Sequence, residues 1–284
     1  MTGAMIISEE DIVVRVRGDA ALVHIRSVTP LSPRGTLLFI HSFCGNSRDF
    51  FSSFRYFSQL GFSVIGIDMP GRGDSAPLSL EYYQLDVLIG VMTQIISNYT
   101  TKPAVVIGKS WGGALALLSA SAMGSTQPAL VLLDVPPVWS LDSDLEITWA
   151  RDKLRSSDAT IAEIRDDLIH FPGYRHLNSE QKQAFLASRL MPTEKGFRYR
   201  CDPTILVNIP SYSGQNLDLR TVADRARRLF TLSRYHDAWA YRHDSGKIKA
   251  SLHMISSGPI ANDPLINAEE RVAILGFATE YFCY

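Results

Sequence analysis

Four short, nearly unbroken apolar runs constrain this chain more than any other feature. They are Thr36–Ile40 (T-L-L-F-I), Ser63–Ile67 (S-V-I-G-I), Ala104–Ile107 (A-V-V-I) and Ala129–Leu133 (A-L-V-L-L), each bounded by Gly, Pro or Asp. Runs of this length read as strands buried on both faces, the pattern of a parallel sheet. Helical periodicity lies between them. Leu85, Leu88, Ile89, Met92 and Ile96 follow the i, i+3, i+4, i+7 rule, and Leu115, Leu118 and Ala122 do so after Gly112-Gly113. Strand alternating with helix predicts a doubly wound α/β sheet with right-handed crossovers.

Two flanking regions differ. Ile12–Val16 and Leu22–Arg26 alternate apolar residues with Arg15, His24 and Arg26, which suits an antiparallel hairpin at the sheet edge with one solvated face. From about residue 137 to 215 the strand signal disappears. There Leu145–Leu154, Ile161–Ile169 and a helix opened by an Asn178/Gln181 capping box and running through Leu190 predict a helical insertion, rich in aromatic residues such as Trp139, Trp149, Phe171 and Phe185. The expected organisation is a core of residues 1–136 and 216–284 and a lid of residues 137–215 over the carboxyl edge of the sheet. Arg228–Leu232 and Ala250–Ile255 resume the strands, and Ala268–Phe282 is expected as a final helix.

Composition excludes other classes. Hydrophobic residues make up 46% and charged residues 20% of the 284, which is ordinary for a folded globular chain. Lys plus Arg is 28 against 29 for Asp plus Glu, and no run of one sign reaches five, so no nucleic-acid partner is expected. No stretch approaches the ~20 apolar residues of a membrane span. Cys44, Cys201 and Cys283 are too few and too scattered for a disulfide framework or a zinc site. The start, Met1–Ile7, lacks a basic region and a long apolar core, and Glu9, Glu10 and Asp11 follow at once, so a cytoplasmic location is expected. The sequence sets no oligomeric state.

The chemistry is carried by Gly108-Lys109-Ser110-Trp111-Gly112-Gly113, which follows one strand and opens a helix. This is G-x-S-x-G in the strand–turn–helix context that gives it meaning. A serine on so sharp a turn needs glycine neighbours, and it gains an exposed Oγ at a helix N-terminus, where developing negative charge is favoured.

Three motifs in order make the chain resemble the α/β-hydrolase superfamily, in its single-domain, lid-bearing branch. They are His41-Ser42-Phe43-Cys44-Gly45-Asn46 after the third strand, Asp68-Met69-Pro70-Gly71-Arg72-Gly73-Asp74-Ser75 after the fourth, and the serine turn. Gly196-Phe197-Arg198-Tyr199-Arg200-Cys201-Asp202-Pro203 also resembles a stretch of such enzymes. The resemblance implies an α/β-hydrolase fold, a mostly parallel twisted sheet flanked by helices, with the lid inserted after the sixth strand. It makes Ser110 the nucleophile and the backbone N–H groups of Phe43 and Trp111 the oxyanion hole. Members usually carry glycine where this chain has Ser42. His41 matches a structural histidine, and Asp68 and Arg72 are expected to hold the turn after the fourth strand. The acid is expected at Asp237, on the loop after Arg228–Leu232, with Asp134 as the alternative.

The expected general base is missing. In the family a histidine follows the last strand in a G-H-x-P-like stretch; here that stretch is Ser256-Ser257-Gly258-Pro259. Ser257 or Pro259 takes the histidine's place, and neither accepts a proton from Ser110. His253 falls four residues earlier, about 13 Å back along a strand. His236, His243, His170 and His176 are the other candidates, with His236 ahead. Losing the histidine of a working triad costs roughly 10⁶ in turnover and leaves on the order of 10³–10⁴ over water. Three readings stay open: a hydrolase of a small apolar or aromatic ester, thioester or C–C bond with an atypical triad; a lyase, cyclase or isomerase using the same pocket; and a degenerate hydrolase that binds a small molecule. No metal or cofactor is implied, since Gly71-Arg72-Gly73 is too short for a dinucleotide fingerprint.

Overall fold

The structure is a computed structural model. It describes residues 6–99, 104–140, 144–207, 217–223, 225–226, 229–232, 251–252 and 268–282. Strands β1 (Ser8–Val16) and β2 (Asp19–Val28) form the expected hairpin, paired from Ser8↔Ser27 to Val16↔Asp19. Val14 and Val16 are buried, while Val13 and Arg15 face outward. Then come β3 (Thr36–Ile40), helix α1 (Phe51–Gln59), β4 (Ser63–Ile67), α2 (Leu85–Tyr99), β5 (Ala104–Lys109), α3 (Trp111–Ala122) and β6 (Ala129–Leu133).

An eight-stranded sheet runs in the order β1-β2-β4-β3-β5-β6, continued by two later strands. The hairpin is antiparallel to β4, and every later neighbour pair is parallel. All five residues of β4 and of β6 are buried, as continuous apolar runs require. The period of two then divides each strand between two cores. Leu38, Ile40 and Val106 face α2 and α3, while Leu37, Phe39, Val105 and Ile107 pack with Phe54 and Phe57 of α1 and Ile274 and Ala278 of the C-terminal helix. The fold is thus an α/β-hydrolase-like three-layer sandwich with a mostly parallel sheet.

The chain between β6 and the last sheet strands differs from its expected all-helical character. Helices α4 (Leu145–Lys153), α5 (Ile161–Leu168) and α6 (Ser179–Arg189) form, and the Asn178/Gln181 capping box is present. Strands occur there too. β7 (Val138–Trp139) precedes α4. β8 (Leu190–Thr193) and β9 (Gly196–Tyr199) make an antiparallel hairpin, whose Phe197 exchanges two backbone hydrogen bonds with Ala159. β10 (Leu217–Asp218) pairs with β7, so the two ends of the inserted segment meet. These strands are two to four residues long, and β8 contains Pro192, so periodicity has too little sequence to act on.

A short helix α7 (Arg220–Ala223) leads to β11 (Leu229–Leu232), which is parallel to β6 and to β12 (Ser251–Leu252). Helix α8 (Ala268–Phe282) closes the chain with the bounds expected from its pattern. Among the described residues no helix is long and apolar enough to cross a membrane.

Candidate active site

Ser110 stands between β5 and α3 with φ 50° and ψ −124°, in the positive-φ half of conformational space that residues with side chains avoid. Such a conformation costs about 1–3 kcal/mol and persists only where the surroundings enforce it. Here the Ser110 N–H donates to the Leu133 carbonyl (2.8 Å), and its own carbonyl accepts from Gly113 and Ala114 (2.9 and 3.2 Å). Two glycines let α3 approach. A Cβ on Gly112 would lie 2.3 Å from the His41 carbonyl oxygen, and one on Gly113 would lie 2.4 Å from Val135. The start of α3 is therefore pressed against the chain leaving β3, and Trp111 meets the Phe43 ring edge-to-face.

That chain is held plane by plane. The Ser42 carbonyl accepts from the His41 ring Nδ1 (2.7 Å) and from Gly45 N–H (3.1 Å). In a trans peptide the N–H points opposite to the carbonyl, so the Phe43 N–H is turned away from both partners. The Phe43 carbonyl accepts from Arg72 Nε (2.9 Å), whose guanidinium also lies over the Phe43 ring, 5.1 Å from its centroid. Among the described residues only Arg17, Ser110 and Asp134 combine a side chain with positive φ. Ser42 is absent from that set, so it occupies the family's glycine position without strain.

His41 is fully buried, and its Nε2 accepts from Met69 N–H (2.9 Å). Both ring nitrogens are engaged, and burial lowers its pKa to about 4. It acts as a neutral brace between two loops. Asp68 accepts from Ser47 N–H, Asp74 N–H and Arg26, and Arg72 also donates to Pro70 O, so both hold this turn as expected. Arg72 in addition supports the Phe43 loop, a role the sequence did not suggest.

The inserted segment touches that loop directly. Glu146, in the first turn of α4, accepts from Ser42 Oγ (3.0 Å) and Cys44 N–H (2.9 Å) through one oxygen. Burial raises its pKa against the opposing pull of Arg189. Asn46 donates to Ser188 O (2.7 Å), and Arg189 Nη1 donates to both oxygens of Asp49 (2.7 and 2.8 Å). Cys44 and Cys201 are both buried in the same seam. Burial, with the neighbouring Cys201, pushes the Cys44 thiol well up and disfavours its thiolate. Spacing gave no hint of the Glu146 contact, because its partners lie in a different element. A separate cavity of about 220 Å³ lies between Gly71–Pro77 and the β8–β9 hairpin. Its arginines Arg155, Arg198 and Arg200 are already paired with Asp167, Asp158 and Asp74.

Asp134 follows Leu133, the residue that receives the Ser110 amide, and has φ 52°. Asp237, His236, His243, His253, Ser257 and Pro259 lie outside the described residues. Their strands bear on them nonetheless. Leu232, the last residue of β11, is level with Leu133, which is itself level with Lys109 beside Ser110. β12 runs parallel, with Leu252 level with Thr231, so both strands head toward the edge that carries Ser110. The other histidines are occupied or remote from a buried role. His24 Nδ1 contacts Asp11 (2.8 Å), His41 is pinned, and His170 and His176 are exposed on the inserted segment.

Known proteins match this architecture. A 2-succinyl-6-hydroxy-2,4-cyclohexadiene-1-carboxylate synthase of Escherichia fergusonii is 25% identical over 193 residues, 66% of this chain and 73% of the relative. Bifunctional epoxide hydrolase 2 of Sus scrofa is 38% identical over 77 residues, 25% of this chain and 14% of the relative. The chain spans between 14% and 39% of the length of the first curated relatives it matches. An α/β hydrolase from Novosphingobium aromaticivorans superposes with a TM-score of 0.72 at 20% identity, over 96% of this chain and 98% of that one. The alpha/beta hydrolase fold family matches residues 35–248, from the strand before the His41 loop through β11. With a strained serine between β5 and α3 and a mostly parallel sheet beneath it, the chain belongs to the α/β-hydrolase fold family.

Proposed function

We propose that the protein is a serine-dependent hydrolase of a small apolar or aromatic ester, thioester or C–C bond, with Ser110 as nucleophile. The observation that carries this reading is the strained Ser110 backbone at the head of α3, beside the Phe43 loop. Non-glycine residues are held in such conformations mainly at functional sites. In the reaction, Ser110 Oγ attacks the substrate's electrophilic carbonyl carbon as a base removes its proton. The N–H groups of Phe43 and Trp111 then receive the charge on the tetrahedral oxygen. The leaving group departs with a proton, and water releases the acyl group by the same steps in reverse. The inserted segment serves as the lid, and its aromatic residues suit an apolar substrate.

Asp237 is assigned as the acid. Five residues of chain after Leu232 reach at most about 16–18 Å, enough to bring its carboxylate back to the Ser110 edge. Asp134 is the alternative, favoured by its positive φ next to the serine turn. The base is assigned to a histidine that follows β11, His236 or His243. Four described histidines are bound elsewhere or exposed. Replacing the true base with alanine should lower kcat on p-nitrophenyl acetate by ~10²–10⁴-fold. Replacing the other should change it by less than ~5-fold, on the scale of an ordinary surface substitution. Unchanged turnover in both variants would reject a histidine base from either position.

A second reading keeps the pocket for non-hydrolytic chemistry. The relative with the broadest coverage among those above is named as a synthase rather than a hydrolase. Intact labelling of Ser110 without turnover of any activated ester would favour it.

A further inference from the structure

We propose that Glu146 is a positioning residue for the Phe43 oxyanion donor, an inference that rests on the Ser110 reading above. One Glu146 carboxylate oxygen accepts from Ser42 Oγ (3.0 Å) and from Cys44 N–H (2.9 Å), and so grips the residues on both sides of Phe43. The remaining polar groups of these two peptide planes are also engaged. Ser42 O is held by His41 and Gly45, and Phe43 O by Arg72. The Phe43 N–H is the donor between these restraints, and its direction follows from theirs.

Ser42 is the reason Glu146 can act this way. Glycine, the residue expected there by resemblance, has no hydroxyl to donate. The serine adds a second anchor to the one that the Cys44 amide supplies. Glu146 itself is fixed by its place in α4, whose N-cap Asp144 accepts from the backbone N–H groups of Glu146 and Ile147 (2.9 and 3.0 Å). Arg189 faces the carboxylate from the end of α6 and favours its charge, while Asp144 opposes it. Because α4 belongs to the inserted segment, the donor is aligned only while that segment is docked on the core. Asn46–Ser188 and Asp49–Arg189 hold the same seam closed.

The test compares wild type with Glu146→Ala, Glu146→Gln and Ser42→Ala. Misplacing a catalytic donor by about 1 Å costs on the order of 10²-fold. Glu146→Ala should therefore lower kcat for p-nitrophenyl acetate by ~10–100-fold with KM changed less than ~3-fold. Glu146→Gln keeps an oxygen that accepts both hydrogen bonds and should restore kcat to within ~5-fold of wild type. Ser42→Ala removes one anchor and should fall between them. An unchanged kcat in Glu146→Ala, or Glu146→Gln as slow as Glu146→Ala, overturns the proposal. Amide hydrogen exchange at Cys44 gives an answer that does not need turnover. It should accelerate at least ~10-fold in Glu146→Ala and return to the wild-type rate in Glu146→Gln, because the bond to that N–H is lost and then replaced. Unchanged Cys44 exchange overturns the positioning role. A wild type with neither turnover nor a Ser110 adduct would remove the oxyanion reading, and exchange alone would then decide whether Glu146 orders the loop.

Discussion

The rings of Phe43 and Trp111 meet edge-to-face with their centroids 6.1 Å apart, although one follows β3 and the other begins α3. An aromatic pair in this geometry contributes about 0.5–1.5 kcal/mol beyond the area it buries. It also fixes the distance between two stretches of backbone that the proposed reaction needs side by side. Trp111 packs in turn against Trp139 of β7, so the contact extends into the neck of the inserted segment.

Arg72 supports one side of this pair by donating to the Phe43 carbonyl and covering its ring. Arg72→Met should leave the carbonyls of Phe43 and Pro70 without that buried donor. A stability loss of about 1–3 kcal/mol is expected, measured by urea unfolding. Ester turnover should fall by ~10-fold or more through the displaced donor.

Strain at Ser110 separates stability from activity. Ser110→Gly removes the side chain that disfavours φ 50° and should raise unfolding stability by about 1 kcal/mol, while abolishing turnover. A variant that is less stable than wild type would show that Ser110 is not held against its own preference.

Much of this architecture is legible in the sequence. The parallel sheet, the hairpin, α2, α3 and α8 follow from long or strongly periodic patterns, and the serine turn follows from glycines that only close packing explains. Helix α1 lies outside the elements expected from the sequence, although Phe54 and Phe57, with Phe50 at its N-cap, carry an i, i+4, i+7 apolar spacing. The short strands β7 to β10 are set by tertiary pairing rather than by local pattern. The Glu146 contact is of the same kind: a carboxylate on α4 meets Ser42 and Cys44 only after the insertion folds back. Asp134 was legible as a candidate, but its positive φ was not.

Acid should destabilise the fold through His41. Its pKa lies near 4 in the native state because burial disfavours the imidazolium, against 6.5 for the ordinary group. Above pH 6.5 both states are neutral there and stability is complete. As pH falls from 6.5 to 4, the unfolded chain binds a proton that the native state refuses. About 3 kcal/mol of stability should be lost over that window. Asp74 is held down to about 2 by Arg48, Arg26 and Arg200 against its burial, so its contribution fades only below about pH 4. Urea unfolding at a series of pH values should show the first loss in wild type and a much flatter dependence in His41→Gln.

The central claim is that Ser110 is a reactive nucleophile, and covalent capture tests it without any assumption about substrate. The purified protein is treated with a fluorophosphonate and digested, and the adduct is located by mass spectrometry. The account predicts a single adduct on the peptide containing Ser110, absent from Ser110→Ala and slowed when the true base histidine is replaced. No adduct on the folded wild type, or an adduct that persists in Ser110→Ala, would contradict it.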